Sequence, residues 1–260
     1  MVPTKQRAAI YTESGVAFAL ADVPKPGPGQ ILVKVVAAVQ NPVGSIPRGG
    51  RQNAADGWSF EEAAQLGIAA LTGLQMPHQS LGLPSPNEPE SESGPRRDIL
   101  NWGGASSVGQ YANFDLVRGL GADEVFDYRD ENVVEKIRVA TGNALKSAID
   151  AVSEGKMMQR VPAVIGDKGG RLAIPNIPYE NTRPDVTASF SLAWNLLKLE
   201  SKGKWYADLL TKILATTNVK PNALLIQPNG LAGVKDGLQY IAEGKVSGQK
   251  ITYRIADAPE

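Results

Sequence analysis

The sequence predicts an α/β fold in which a parallel sheet lies between β-rich segments at the two ends of the chain. From Arg97 to Phe190, short apolar strands alternate with helical stretches of about 10–15 residues, a pattern typical of parallel βαβ units. Within that region, Asp98–Gly109 leads an apolar strand directly into a turn of small residues and a helix. Residues 1–57 instead carry strand-like alternation and turn residues, which predicts a separate β segment.

The N-terminal segment predicts a hairpin followed by one longer strand. Ala8–Tyr11 and Val16–Leu20 are short apolar stretches around a polar turn, and Gln30–Val39 alternates β-branched and polar residues. The apolar run Gly15–Ala21, which follows two basic residues, faintly resembles a secretion signal. The polar residues 12–14 interrupt that signal, so the hairpin of a cytoplasmic protein is the preferred interpretation.

Helical signals begin after residue 57. Ser59 and Glu62 have the spacing of a capping box, which predicts a helix that continues through Leu66. A second helix is predicted over Ala69–Leu81. Residues 84–95 are rich in proline and acidic residues, and they predict an exposed loop.

Strands and helices are then predicted in alternation. The strands are Ile99–Trp102, Glu124–Tyr128, Ser147–Val152, Arg171–Ile174 and Val186–Phe190, the last of which ends the sheet. The helices between them are Ser106–Arg118, Glu131–Thr141 and Lys156–Val164. Beyond the sheet we expect a helical stretch Leu192–Leu214 broken near Gly203, strands Ala223–Ile226 and Lys250–Arg254, and a helix Leu231–Ala242.

The turn Gly104-x-Ser106-x-x-Gly109 is a variant of the glycine-rich fingerprint that binds dinucleotides. Gly104 permits the tight turn, the small Ser106 lets the backbone approach a pyrophosphate, and Gly109 lets the following helix pack close to the strand. The amides at the start of that helix face the anion. Turns of small residues also cap ordinary helices, so the motif depends on its strand–turn–helix context.

Composition argues against several classes of function. The chain carries 27 basic and 27 acidic side chains, so no net charge attracts nucleic acid or an anionic membrane. It has no cysteine and a single histidine, His78, which excludes disulfides and the usual zinc sites, so no metal is expected. No apolar run in this sequence is long enough to span a bilayer.

Five motifs, in order along the chain, carry a resemblance to a known family. They are Ala38–Pro42, Trp58–Ala64, Trp102–Gly109, Leu120–Arg129 and Gly244–Lys250. Together they resemble the zinc-independent medium-chain dehydrogenases/reductases, and among these the fungal trans-acting enoyl reductases of polyketide pathways. The resemblance implies a shortened Rossmann-like parallel sheet and a reduced GroES-like β domain built from both chain ends. It implies that residues 1–57 begin the GroES-like catalytic domain, that 58–190 form the Rossmann-like domain with its leading helices, and that 191–260 return to the catalytic domain.

The resemblance also implies NADP as cofactor, no metal, and hydride transfer to an enoyl or carbonyl group of a polyketide-like substrate in secondary metabolism. A polyketide synthase is the implied partner. The implied cofactor contacts are Val43, Gly104, Ala105, Ser106, Ser107, Val108, Gly109, Tyr128, Ile174, Pro175, Val246 and Ser247. The implied substrate wall is Leu66, Gly67, Ile68, Ala69, Ala70, Leu71, Thr72 and Gly73, in which Thr72 is the polar group. No side chain is singled out as catalytic, because the cofactor carries the reaction.

Two departures from the family pattern shape these expectations. Gly44–Ile46 stands where the family has a polar and a basic residue, and much of the catalytic domain expected before Trp58 is missing. At Ala112–Asn113 a second piece is missing, which in the family includes the strand that holds the adenosine 2′-phosphate. We therefore expect Glu124–Tyr128 to move into the place beside Ile99–Trp102.

The adenosine end of the cofactor has two interpretations. Asp127 lies 18 residues after Gly109, close to the usual offset of a ribose-binding carboxylate, and this spacing favours NAD. The resemblance instead implies that Tyr128 contacts the adenosine end of NADP, and NADP is preferred because several motifs support it. Asp127 is otherwise a solvated carboxylate at a strand end. Lys245 and Lys250 either help to hold a phosphate or are simply solvated.

Three functional interpretations stay open. The first is an active NADPH-dependent reductase. The second is a degenerate, redox-inactive relative that binds a polyketide-like ligand as a partner or as a non-redox catalyst. The third is a truncated or mis-assembled reading frame that does not fold stably. The two missing pieces favour the second and third interpretations, whereas the five motifs favour the first.

Overall fold

A computed structural model describes residues 2–40, 58–84, 98–103, 114–153, 155–175, 178–191, 200–216 and 219–257. The chain forms two compact units. The terminal unit consists of Met1–Gly67 and Lys220–Glu260, so it is built from both ends of the chain, and the middle unit is Ile68–Val219. The functional domain boundaries at residues 57 and 190 stay predictions.

The described residues hold strands β1 to β9 and helices α1 to α7, numbered along the chain. The strands are β1 (Lys5–Thr12), β2 (Gly15–Asp22), β3 (Ala37–Val39), β4 (Ile99–Trp102), β5 (Ser147–Asp150), β6 (Gly170–Ile174), β7 (Val186–Phe190), β8 (Ala223–Ile226) and β9 (Gln249–Arg254). The helices are α1 (Phe60–Ala63), α2 (Gly67–Gln75), α3 (Phe114–Gly119), α4 (Val133–Ala140), α5 (Met157–Val164), α6 (Glu200–Thr216) and α7 (Val234–Ala242). Short 3₁₀ turns cover Ala64–Leu66, Gly230–Gly233 and Ile255–Asp257, and a π-helical turn covers Met76–Ser80.

The terminal unit contains the predicted hairpin and a small mixed sheet. In the hairpin β1–β2, Thr12 lies opposite Gly15, and the Thr12 hydroxyl donates to the Gly15 carbonyl over 2.8 Å. Gly15 has a φ of 110°, a conformation that a side chain disfavours. In the second sheet the strand order is β3-β9-β8, with β9 antiparallel to β3 and parallel to β8. Both chain ends therefore contribute to one sheet.

The prediction of a strand over all of Gln30–Val39 is wrong, because only Ala37–Val39 pairs with β9. The apolar residues of the preceding stretch are more than a third exposed, for example Ile31 at 65% and Val36 at 46%. A strand is defined by ladder hydrogen bonds, and Ile31–Val36 have no partner strand among the described residues.

Helix α1 in the terminal unit begins with the predicted capping box. The Ser59 hydroxyl accepts from the Glu62 amide over 3.2 Å, and the Glu62 carboxylate accepts from the Ser59 amide over 2.8 Å. The predicted helix Ala69–Leu81 is observed as α2, after which the backbone changes to the π-helical turn. Pro77 lies in that turn and has no amide to donate to an α-helical ladder, which accounts for the change.

The middle unit is organised around a four-stranded parallel sheet in the order β4-β5-β6-β7. This confirms the predicted shortened parallel sheet, with β7 at its edge. Helices α4 and α5 cover it with residues spaced three or four apart, such as Val133 with Ile137 and Val161 with Val164, all at most 1% exposed. They pack with Leu172 of the central strand β6 into one apolar core.

Two further predictions in the middle unit are wrong. Glu124–Tyr128 is not a strand and forms no ladder with β4, whose partner is β5. An apolar stretch alone does not make a strand when no neighbour pairs with it. Helix α6 runs without a break through Gly203, because one glycine costs only about 1 kcal/mol in a helix that buries Tyr206 and Leu209.

Of the predicted helix Ser106–Arg118, the part from Phe114 onward is observed as α3, and residues 106–113 lie outside the described residues. Among the residues that the structure describes, no helix has the length and apolar character needed to cross a membrane.

Candidate functional site

The candidate cofactor site lies at the carboxyl edge of the parallel sheet. Because β4, β5, β6 and β7 are parallel, their last residues share one edge: Trp102, Asp150, Ile174 and Phe190. In open α/β sheets this edge is where nucleotides and other ligands bind. The loops that leave it in the middle unit therefore form the candidate site.

The glycine-rich motif begins at this edge. The predicted contacts Gly104, Ala105, Ser106, Ser107, Val108 and Gly109 lie outside the described residues, as does Val43. Gly103, which joins β4 to the motif, has a φ of 87°. A Cβ at this position would lie 2.6 Å from Cγ2 of Val152, so the position requires glycine both for its backbone angle and for space.

Trp102 anchors the end of β4 in the core. Its side chain is 4% exposed, and its indole N–H donates to the sulfur of Met157 over 3.0 Å. The Trp102 carbonyl accepts from the Ala151 amide over 2.9 Å, which ties β4 to the loop after β5. The chain therefore enters the glycine-rich motif from a fixed point.

Asp150 closes the next loop, and sequence analysis did not single it out. Its carboxylate Oδ1 accepts from the amides of Val152 (3.0 Å) and Ser153 (2.8 Å). The Ser153 hydroxyl donates to the Asp150 carbonyl over 2.9 Å. Asp150 is fully buried, and burial raises the pKa of its carboxyl above the ordinary value. The available signal was an acidic residue that directly ends the apolar strand Ser147–Asp150.

The predicted contacts Ile174 and Pro175 lie at the same edge. Ile174 is 4% exposed with its side chain in the core, and its carbonyl accepts from the Ser191 amide over 2.9 Å. Pro175 directly follows β6. Tyr179, further along this loop, donates its hydroxyl to the Met158 carbonyl over 3.3 Å, and both burial and the nearby Asp150 raise the pKa of that phenol.

Tyr128 lies beside an open cavity of about 700 Å³ in the middle unit. Its carbonyl accepts from Arg160 over 2.8 Å, and its ring packs against the core. The cavity is lined by Phe114, Val125, Phe126, Asp127, Arg129, Asp130, Val133 and Lys136. In it Arg129 pairs with Asp127 at 3.2 Å and Lys136 pairs with Asp130, so its formal charges cancel. Asp127 is thus not the freely solvated carboxylate that was one expectation, since its side chain is 15% exposed.

The spatial order of the described strands bears on the nucleotide site. In doubly wound sheets the nucleotide binds where the strand order reverses, with strands on both sides of that point. Here β4 to β7 follow one another in chain order without reversal, and β4 has no partner on its other side among the described residues. The half of the sheet that would support an adenosine moiety is absent from the described strands.

The last two predicted cofactor contacts, Val246 and Ser247, belong to the terminal unit. Both are half-buried in the turn between α7 and β9. Of the neighbouring lysines, Lys245 is exposed and pairs with Glu243 at 2.6 Å. Lys250 is only 6% exposed, and burial lowers the pKa of its ammonium, so the expectation that it is solvated is wrong.

The predicted substrate wall follows the start of α2 across the boundary between the units. Leu66 and Gly67 belong to the terminal unit, and the positions from Ile68 to Gly73 belong to the middle unit. Thr72 is buried at 8% exposure, whereas Ile68 is 36% exposed. Within the described parts of the chain, no group of three or more His, Cys, Asp or Glu side chains has an arrangement that could hold a metal ion.

Comparison with known proteins gives related sequences and related folds. No family model matches the chain. It is 34% identical over 231 residues to the trans-enoyl reductase ACTTS2 of Alternaria alternata, covering 77% of this chain and 66% of the relative. It is 32% identical over 237 residues to a trans-enoyl reductase of Gibberella fujikuroi, covering 76% and 65%. The chain thus spans just under two thirds of the length of these curated relatives.

Solved structures share the fold at low sequence identity. A mycobacterial protein solved in complex with NADPH matches with a TM-score of 0.71 and 16% identity, over 95% of this chain and 99% of that protein. The CurK enoyl reductase matches with a TM-score of 0.59 and 16% identity, over 76% of this chain and 63% of that protein. These matches agree with a shortened Rossmann-like sheet and a β unit built from both chain ends.

Proposed function

Because this chain belongs to the medium-chain dehydrogenase/reductase family and is related to the fungal trans-enoyl reductases, we propose that it is an NADPH-dependent enoyl reductase. In this proposal a hydride passes to an enoyl or carbonyl group of a polyketide-like substrate carried by a polyketide synthase. The observation that carries the proposal is the parallel sheet, whose strand β4 leads into the sequence Gly104–Gly109 at its carboxyl edge.

The edge of the sheet fits the middle of a dinucleotide. Gly103 keeps side-chain volume away from the point where the chain turns, and Ser106 and Gly109 are small enough for a pyrophosphate to approach the backbone. When bound, the nicotinamide cofactor supplies the hydride. The chain's own contribution is to orient the cofactor and to exclude water from it. In this proposal Trp102, the loop after Asp150 and Pro175 serve these two purposes.

The middle unit fits the adenosine end of the cofactor less well than its pyrophosphate. The described strands lack the second half of the sheet, and the cavity beside Tyr128 has as many carboxylates as cations. A 2′-phosphate gains from an excess of cations, which this cavity does not offer. We therefore propose that Tyr128 contributes packing to the adenosine end rather than phosphate recognition. For Val246 and Ser247 we propose the contact with the cofactor that the resemblance implies.

The test is a pair of measurements on the intact chain. Fluorescence titration with NADPH measures binding, and the loss of NADPH absorbance with a short α,β-unsaturated thioester measures turnover. Binding together with substrate-dependent oxidation of NADPH supports the proposal. Absence of NADPH binding contradicts it.

A matched pair of serine substitutions sharpens this test. Ser106→Trp places a bulky side chain where the pyrophosphate must approach, so we expect it to abolish NADPH binding. Ser14→Trp makes the same change in the exposed turn between β1 and β2 and serves as the control. Equal binding by both variants would show that the glycine-rich motif does not hold the cofactor.

The second candidate is a redox-inactive relative that binds a polyketide-like ligand. Among the described strands the order β4-β5-β6-β7 has no reversal, and this favours the second candidate because the adenosine half of a dinucleotide site depends on such a reversal. Binding of an enoyl thioester without binding of NADPH or NADH would support this candidate over the reductase.

A further inference from the structure

The loop that follows β5 forms a closed hook around one carboxyl group. Oδ1 of Asp150 accepts from the amides of Val152 and Ser153, and the Ser153 hydroxyl donates back to the Asp150 carbonyl. These three bonds span 2.8 to 3.0 Å. Ser153 is 1% exposed and has a φ of 52°, so the hook holds a serine in a conformation that it rarely adopts. We use the name Asp150 hook for residues 150–153.

The Asp150 hook contacts the two residues directly before the glycine-rich motif, Trp102 and Gly103. The Ala151 amide donates to the Trp102 carbonyl over 2.9 Å, which extends the ladder between β5 and β4 by one bond. The Val152 side chain occupies the space next to Gly103, since a Cβ built there would lie 2.6 Å from Cγ2 of Val152. The backbone at Trp102 and Gly103 is therefore packed against the hook.

The carboxyl group of Asp150 is completely buried, although only one of its two oxygens takes part in the hydrogen bonds of the hook. Asp150 is fully buried, and its second oxygen, Oδ2, has no hydrogen-bond partner among the described residues. A buried carboxylate with one oxygen that lacks a hydrogen-bond partner is costly, and burial raises the pKa of this carboxyl. Asparagine has the same shape and keeps a carbonyl oxygen for both amides, whereas alanine leaves the two amides without an acceptor.

We propose that Asp150 is a positioning residue for cofactor binding. Its carboxyl holds the hook in place by hydrogen bonds, and the hook fixes the backbone position of Gly103, the residue directly before the glycine-rich motif. The inference rests on the proposed dinucleotide site. It assigns Asp150 no contact with the reacting atoms. Its effect reaches the cofactor through the backbone of Ala151 and the side chain of Val152, so affinity changes more than the chemical step does.

The test compares three variants of the full chain. Asp150→Ala removes the acceptor, and Asp150→Asn keeps it. Leu145→Ala is the control for general loss of stability, because Leu145 is 2% exposed and precedes β5 at the opposite edge of the sheet. Two quantities are measured below the unfolding temperature of every variant: the Kd for NADPH, and hydrogen exchange at the amides of Val152 and Ser153.

We expect Asp150→Ala to weaken NADPH binding about tenfold or more, with Asp150→Asn and Leu145→Ala within about threefold of the parent chain. Amide protection at Val152 and Ser153 should be lost in Asp150→Ala alone. Unchanged affinity in Asp150→Ala, or equal weakening in Leu145→Ala, would overturn the proposal. If the parent chain binds no dinucleotide, the proposed function fails and the link to the cofactor fails with it. The exchange data would then still report whether the carboxyl holds the hook, which separates the two failures.

Discussion

At the scale of single residues, the buried carboxyl of Asp150 has a consequence for stability that is independent of any ligand. Burial raises its pKa, so the folded state retains this proton at pH values where the unfolded chain has lost it. The contribution is fully present below the ordinary value of 3.8 and is lost as pH rises through the folded-state pKa. An asparagine at this position carries no such dependence.

We therefore expect the Tm of the parent chain, relative to that of Asp150→Asn, to fall as pH is raised from about 4 to about 8. Asp167→Asn is the matched control with the opposite sign. Arg138 and Asn143 donate to the exposed Asp167 carboxylate and lower its pKa. The Tm of the parent chain relative to Asp167→Asn should thus rise with pH. Parallel pH profiles for the two variants would contradict a raised pKa for the buried Asp150 carboxyl.

Other residues became visible only with the fold. Arg183 belongs to no motif and to no periodic pattern, because its role depends on distant carbonyls that the fold brings to it. The partners of Asp150 are local, at Val152 and Ser153, but its complete burial is visible only in the structure. Lys250 was expected to be an ordinary solvated lysine, yet it is only 6% exposed in β9, the central strand of its sheet. The capping box at Ser59 was predictable, since both of its partners lie within four residues.

At the scale of elements, Arg183 closes the end of helix α5. Its guanidinium donates to the carbonyls of Pro162, Ile165 and Gly166, and it also pairs with Asp185. The last carbonyls of a helix have no partner within the helix, so a cation that donates to them stabilises that end. One side chain thereby connects α5 to the turn that precedes β7.

We expect Arg183→Ala to lower the free energy of unfolding by about 1–3 kcal/mol, because several carbonyls lose a charged donor. Arg183→Lys should lose part of this amount, since an ammonium cannot reproduce the planar fork. Arg118→Ala is the control, because Arg118 is exposed and its contact with Asp115 is long at 3.8 Å, so it should change stability by less than about 0.5 kcal/mol. Urea denaturation measures all three, and equal effects at positions 183 and 118 would show that the helix end needs no such donor.

The elements were predictable from the sequence where their signal is local. Val186–Phe190 alternates apolar and small polar residues, Ala223–Ile226 is apolar throughout, and the structure has both strands with the predicted bounds. Glu124–Tyr128 has similar apolar content, but a strand also needs a neighbour, and pairing over long distances leaves no trace in a local pattern. Ile31–Val36 failed as a predicted strand for the same reason.

At the scale of the whole molecule, the strand order predicts how strongly the cofactor is held. The sequence Gly104–Gly109, which the resemblance assigns to a pyrophosphate, directly follows β4 and Gly103, whereas the described strands offer no second half of the sheet for the adenosine phosphate. Charge-assisted hydrogen bonds contribute about 1.5–3 kcal/mol each, so losing them lowers affinity about tenfold or more.

We expect this chain to bind NADPH at least about tenfold more weakly than a full-length trans-enoyl reductase measured in the same buffer, and to prefer NADPH over NADH by less. Calorimetric titration of both proteins with both nucleotides gives the four constants. The full-length relative is the control for buffer and salt effects. Tight and strongly NADPH-selective binding would show that residues outside the described strands replace the missing support.

The order in which the strands pair also bears on how the chain is completed during synthesis. In the middle unit each strand from β5 to β7 lies beside the strand made just before it, so every new strand meets a finished neighbour as it leaves the ribosome. Strand β3 is in the opposite situation, because its partner β9 is translated only after the whole middle unit. Until then, the apolar Ile31–Val36 beside it remains attached to an unpaired edge. We therefore expect the nascent chain to be prone to wrong strand pairing in the interval between the synthesis of these two strands.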